Sequence, residues 1–157
     1  MKWADGDSFA GFFLNGIKSG SGNYSYSNGD FYQGDWLNNK KSGKGTFIYQ
    51  NGNKYQGDWL NDEMNGKGLF TFSSGSKYDG EFLNGQFNGK GVFTFKNGDK
   101  YLGDWLKDKR TGKGVYTWQN GDIHEGEWLN GLKNGLGKFI SKNGRIQEGK
   151  WSSDIFV

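Results

Sequence analysis

Polar and apolar side chains alternate with period two in two short runs that recur along the chain. In Lys54-Tyr55-Gln56-Gly57-Asp58-Trp59-Leu60, the residues Tyr55, Gly57 and Trp59 share one parity and Lys54, Gln56, Asp58 and Leu60 the other. In Lys67-Gly68-Leu69-Phe70-Thr71-Phe72, Gly68, Phe70 and Phe72 share one parity and Lys67, Leu69 and Thr71 the other. Aromatic-rich alternation bounded by Asn and Gly predicts strands, and no stretch carries the helical period. Two strands make a hairpin, and successive hairpins an antiparallel meander.

The hairpin repeats without insertion. Its opening glycine falls at Gly6, Gly29, Gly52, Gly75, Gly98, Gly121 and Gly144, always 23 residues apart. Residues 1–157 therefore read as a single array with partial units at both ends. Met1-Lys2-Trp3 matches the closing strand of a preceding unit, since Trp3 stands one period before Tyr26. The expected architecture is all-β: an elongated single-layer antiparallel meander of 23-residue hairpins.

Parity constrains the turns, because all rings must reach one face. A three-residue loop at Gln50-Asn51-Gly52 satisfies this, with a type I turn followed by left-handed glycine. The other connection, within Asn61–Asn65, is expected to be a four-residue loop. That sets Trp59 opposite Gly68 and Phe70 opposite Gly57, so each ring shields bare backbone on the next strand.

Composition agrees with a thin sheet. Aromatics are 18% of the 157 residues and there are 29 glycines, but only 32% of residues are hydrophobic. The chain has no cysteine, so disulfides, thiolate metal sites and cysteine nucleophiles are excluded, and a cytoplasmic location is expected. No apolar run reads as a signal peptide or a membrane span. A net charge of +3 is too small to call for a polyanion, and no nucleic-acid partner is expected.

The frame Tyr55-x-Gly57-x-Trp59 followed by Gly66-x-Gly68 resembles the MORN (membrane occupation and recognition nexus) repeat. It recurs as Tyr32-x-Gly34-x-Trp36 with Gly43-x-Gly45, and as Tyr101-x-Gly103-x-Trp105 with Gly112-x-Gly114. Departures are His124 and Gln147 in the Tyr position and Phe13 and Phe82 in the Trp position. The resemblance implies a hairpin solenoid serving as a scaffold or adaptor for protein partners, with no chemistry of its own. It also implies an association with membrane phospholipids, and hence a membrane- or cytoskeleton-associated location.

Catalytic, metal and cofactor sites are not expected. The single histidine, His124, occupies an aromatic slot, and Asp35, Asp58, Glu81, Asp104 and Glu127 form a repeated column, read as a solvated row paired with lysines. Paired-carboxylate chemistry needs two unlike environments, whereas a column repeats one. Three partner surfaces are expected. A helix or extended peptide is placed along Tyr55, Trp59, Tyr78, Phe82, Tyr101 and Trp105. Met64 and Phe87, in one column of adjacent units, are read as an exposed apolar patch at the turn tips. Lys44, Lys67, Lys90 and Lys113 form a basic row for anionic lipid headgroups, the membrane-targeting alternative. Unpaired sheet edges at both ends add self-association.

Overall fold

The computed structural model describes residues 1–157, and every regular element in it is a strand. In chain order these are β1 (Ser8–Leu14), β2 (Ile17–Ser25), β3 (Phe31–Leu37), β4 (Lys40–Ile48), β5 (Lys54–Leu60), β6 (Glu63–Thr71), β7 (Lys77–Leu83), β8 (Gln86–Thr94), β9 (Lys100–Leu106), β10 (Lys109–Thr117), β11 (Ile123–Leu129), β12 (Leu132–Ile140), β13 (Ile146–Ser152) and β14 (Ile155–Phe156). Strand order in the sheet is the order in the chain, the antiparallel meander that period-two patterning predicts. The chain divides into two compact units, Met1–Ser74 with Phe82–Gly85, and Gly75–Glu81 with Gln86–Val157.

The three-residue loop forms as parity requires. Tyr49 N–H donates to the Asn53 carbonyl at 2.9 Å, Gly52 N–H donates to the Tyr49 carbonyl at 2.9 Å, and Gly52 has φ +85°. Phe47 therefore stands opposite Tyr55. Gly98 and Gly121 close equivalent loops in the second unit.

The other connection differs from expectation. It is a two-residue turn, Asn61-Asp62, with φ of +51° and +74°. Both values belong to the primed turn whose twist matches that of paired strands. Two extra residues are then absorbed in β6, where Gly66 has φ +67° and the register shifts between Gly57 and Trp59. Trp59 consequently faces Met64, Tyr55 faces Phe70, and Gly57 faces Gly68. The expected pairing was displaced by two residues at Gly57 and by four at Trp59. Parity survives, because an even slip returns every side chain to its own face.

Opposed glycines create the core. In the first unit the pair Gly57 and Gly68 leaves a bare strip: a Cβ on Gly68 would lie 2.5 Å from the Tyr55 ring, and one on Gly57 2.5 Å from the Tyr55 hydroxyl oxygen. Tyr55 thus lies flat on its own hairpin. Its ring meets Trp59 edge-on at 5.2 Å and Phe82 at 4.9 Å. In the second unit Tyr101 stands likewise between Trp105 and Trp128, at 5.3 and 5.1 Å. Such perpendicular pairs add about 0.5–1.5 kcal/mol each beyond area burial. The indole N–H of Trp59 donates to the Gly45 carbonyl of the preceding hairpin at 3.2 Å, as Trp105 does to Gly91.

Polar side chains tie hairpin to hairpin outside the rings. Asp62 Oδ1 accepts from Lys41 N–H at 2.8 Å, and Asp108 Oδ1 from Phe87 N–H at 2.8 Å. Near the other turns, Asp30 Oδ1 accepts from Gln50 N–H and Asp99 Oδ1 from Gln119 N–H, both at 2.8 Å. Each clamp satisfies a backbone donor that a turn would otherwise leave unpaired.

Candidate partner-binding faces

The six rings expected to receive a partner are the core instead. Tyr55, Tyr78 and Tyr101 have no exposed surface, and Trp59, Phe82 and Trp105 are also buried. Each tyrosine has glycine beneath it; Tyr55 and Tyr101 are flanked by perpendicular rings, and Tyr78 by perpendicular Trp105 and parallel Phe87. Rings in or just after the second strand of a hairpin retain exposure on this face. In the first unit Tyr24, Tyr26, Tyr49 and Phe70 are half-buried. Centroid spacings of 4.4 Å for Tyr24–Tyr26 and 6.0 Å for Tyr49–Phe70 run them into a ladder.

Met64 and Phe87 are likewise not exposed turn tips. The turn is two residues long, so Met64 sits inside β6 opposite Trp59, on the ring face, and is half-buried. Phe87 stacks on Tyr78 with centroids 3.8 Å apart and 11° between planes. Elsewhere this column holds long cations folded over rings: Lys41 lies 4.8 Å from Phe47 and 4.9 Å from Trp59, and Arg110 lies 4.5 Å from Trp128. Burial lowers the pKa of both cations, while the rings' negative faces hold them in place. The sequence signal was a Lys or Arg recurring two residues before the left-handed glycine.

On the opposite face of the second unit lies a groove of about 1030 Å³, of whose lining the sequence marked only Lys90 and Lys113 of the basic row and Glu127 of the acidic column. Its floor is Gly103, Gly114, Gly126, Gly137 and Gly149, successive register partners across β9 to β13. One wall is Leu102, Val115, Glu125, Lys138 and Glu148, also in successive register, and the other carries Lys90, Lys113, Glu127 and Leu136. Leu102 and Leu136 are 56% and 68% exposed. Leu102 replaces the Gln33, Gln56 and Asp79 of earlier units, and Leu136 the Lys44 and Lys67.

The sequence profile of the MORN repeat matches six consecutive windows: residues 9–31, 32–54, 55–77, 78–100, 101–123 and 124–144. The chain belongs to the MORN-repeat family. No curated protein matches it. Among solved structures it is similar to the TCP10c domain of Drosophila melanogaster Sas-4, with a TM-score of 0.45, 13% identity, and coverage of 84% of this chain and 93% of that one. It is also similar to the TCP10 domain of Danio rerio CPAP in complex with a peptide of Danio rerio STIL, with a TM-score of 0.35, 11% identity, and coverage of 94% and 75%.

Within the MORN units the acidic column has a structural task. Asp58 accepts the Lys67 N–H at 2.9 Å and Asp104 the Lys113 N–H at 3.0 Å, each capping the residue after a left-handed glycine. Burial alone would raise the Asp58 carboxyl. The Lys44 ammonium and the Lys67 N–H outweigh it and hold the pKa below the ordinary value. The lysine row projects from the face opposite the rings, and two of its members form ion pairs, Lys44 with Asp58 and Lys90 with Asp104. The basic row is thus interleaved with carboxylates.

His124 occupies the tyrosine slot of its MORN unit, fully buried between Trp128 at 5.7 Å and Trp151 at 4.8 Å. Neither ring nitrogen has a hydrogen-bond partner, nor does the Trp151 indole N–H. Burial pushes its pKa down to about 4, and the Lys133 ammonium acts in the same direction.

Proposed function

We propose that this MORN-repeat chain is a non-enzymatic scaffold or adaptor that binds a protein partner through the groove of its second unit. One observation carries the reading. Leu102 and Leu136 stand exposed on the groove walls where other units place Gln, Asp or Lys. In a repeat array, fixed columns build the fold and variable ones are free for recognition, and exposed apolar side chains around a concavity are what a partner covers. The non-enzymatic part rests on the engagement of the ionisable side chains: column carboxylates cap bulges, and His124 is enclosed by tryptophans.

The test is affinity capture with the wild-type chain and with Leu102→Asp/Leu136→Asp. Both sites are exposed, so the variant should keep the wild-type circular dichroism spectrum and lose the captured proteins. Undiminished capture by the folded variant would remove the groove from the reading.

A further inference from the structure

The groove is electrically divided along its length. Over β8 to β10 it is lined by Lys90, Leu102, Lys113 and Val115, and over β11 to β13 by Glu125, Glu127, Leu136, Lys138 and Glu148. Lys90 is paired with Asp104, which leaves Lys113 as the available cation at the first end. At the second end three glutamates stand against one lysine: Glu127 is engaged with the Leu136 N–H, and Glu125 and Glu148 flank Lys138 in register and outnumber it. Leu102 and Val115 at the first end and Leu136 at the second supply the apolar surface.

The floor selects the kind of backbone that fits. Strands β9 to β12 are each paired on both sides, so their N–H and C=O groups are committed within the sheet, whereas β13 meets β14 only at Trp151 and Ser152. An extended peptide crossing them would find no backbone partners, because strand addition needs a free edge. A helix satisfies its own backbone and brings only side chains. Five strands about 4.8 Å apart give a track of about 20 Å, which a helix of about 13–15 residues fills.

We infer that the groove takes a partner's amphipathic helix whose charges are segregated, with acidic residues at its N-terminal end over Lys113 and basic residues at its C-terminal end over Glu125 and Glu148. The apolar stripe of that helix lies on Leu102, Val115 and Leu136. Its direction follows from charge: acidic side chains are favoured at a helix N-terminus and basic ones at the C-terminus. The best-formed helix of this class therefore runs from β9 toward β13. The inference rests on the groove reading above and adds the partner's chemistry and direction.

The test uses the full chain and two synthetic helical peptides of about 15 residues with one composition and one apolar stripe. The first has Glu in its N-terminal half and Lys in its C-terminal half; the second has the same charges interleaved. The segregated peptide should bind about tenfold more tightly at low salt, and the advantage should shrink as salt is added. A nitroxide at its N-terminus should broaden the amide signals of Leu102 and Val115 and spare those of Glu148 and Gly149. In Lys113→Glu/Glu148→Lys, a surface variant that should melt as the wild type does, the broadening should move to Gly149. Equal affinities, or broadening that stays put in that variant, would overturn the inference. If capture depends on Leu102 and Leu136 but the peptides bind alike, the charge assignment fails and the groove reading stands. If capture ignores those leucines, the groove reading itself fails.

Discussion

The hydroxyl of Tyr55 donates to the carbonyl oxygen of Asp58 at 2.8 Å, and the phenol ring lies across Gly57 and Gly68 to reach it. One contact joins a buried ring, two side-chain-free positions and the start of the bulge. It accounts for why those residues occur together in the units of Tyr32, Tyr55, Tyr78 and Tyr101, whose hydroxyls make the same bond.

The glycines under the ring should tolerate nothing larger. A Cβ on Gly68 would lie 2.5 Å from Tyr55 ring atoms, so Gly68→Ala should lower the unfolding free energy by about 3 kcal/mol. Gly131 at a turn has open space around it and φ +88°. Gly131→Ala should cost only the left-handed backbone term, about 1–2 kcal/mol. Urea denaturation followed by circular dichroism checks the pair.

Asp58 should matter through its bulge cap more than through its ion pair. Asp58→Ala leaves the Lys67 N–H without its acceptor, with an expected loss of about 1–2 kcal/mol. Lys44→Ala removes only an exposed ion-pair partner and should cost under about 0.5 kcal/mol. Equal losses in chemical denaturation would contradict this ordering.

His124 makes the second unit acid-sensitive. Its folded pKa of about 4 lies below the ordinary 6.5, so between those values the unfolded chain holds more protons. Stability contributed by neutral His124 is therefore present above pH 6.5 and is lost as pH falls toward 4. His124→Tyr restores the residue found in other units and abolishes the titration. The variant's advantage in Tm should be larger at pH 5 than at pH 7.5.

The column of Met64 and Phe87 should report on folding. Phe87→Ala removes a ring stacked on Tyr78 and should cost about 2–3 kcal/mol. Lys41→Met, which copies the neighbouring unit's choice, should lie within about 1 kcal/mol of wild type, since apolar cover replaces a cation–π contact of similar worth. Thermal melts of both variants test this, and a Lys41→Met penalty equal to that of Phe87→Ala would refute it.

Legibility in the sequence followed the range of the interactions. Gln50-Asn51-Gly52 was readable because parity and left-handed glycine are local constraints. Asn61-Asp62 was misjudged because a bulge can absorb two residues without changing any parity, so alternation alone admits either register. That error moved Met64 and Phe87 from the ring face to the turn tips. Tyr55, Trp59, Tyr78, Phe82, Tyr101 and Trp105 were correctly seen as one set but taken as open surface. Their burial depends on neighbouring rings and, at Trp59, on Lys41 arriving from the preceding hairpin.

By itself the sequence determined a hairpin every 23 residues, the glycine loops between hairpins and the single face that carries the rings. Period-two alternation and glycine's backbone freedom act within a few residues and are written directly in the chain. Tertiary structure alone decided which rings are sealed, which cations cover them and where the glycine row opens into a groove. Those outcomes arise from register between strands, and register is settled by packing of side chains that the chain order keeps a full repeat apart.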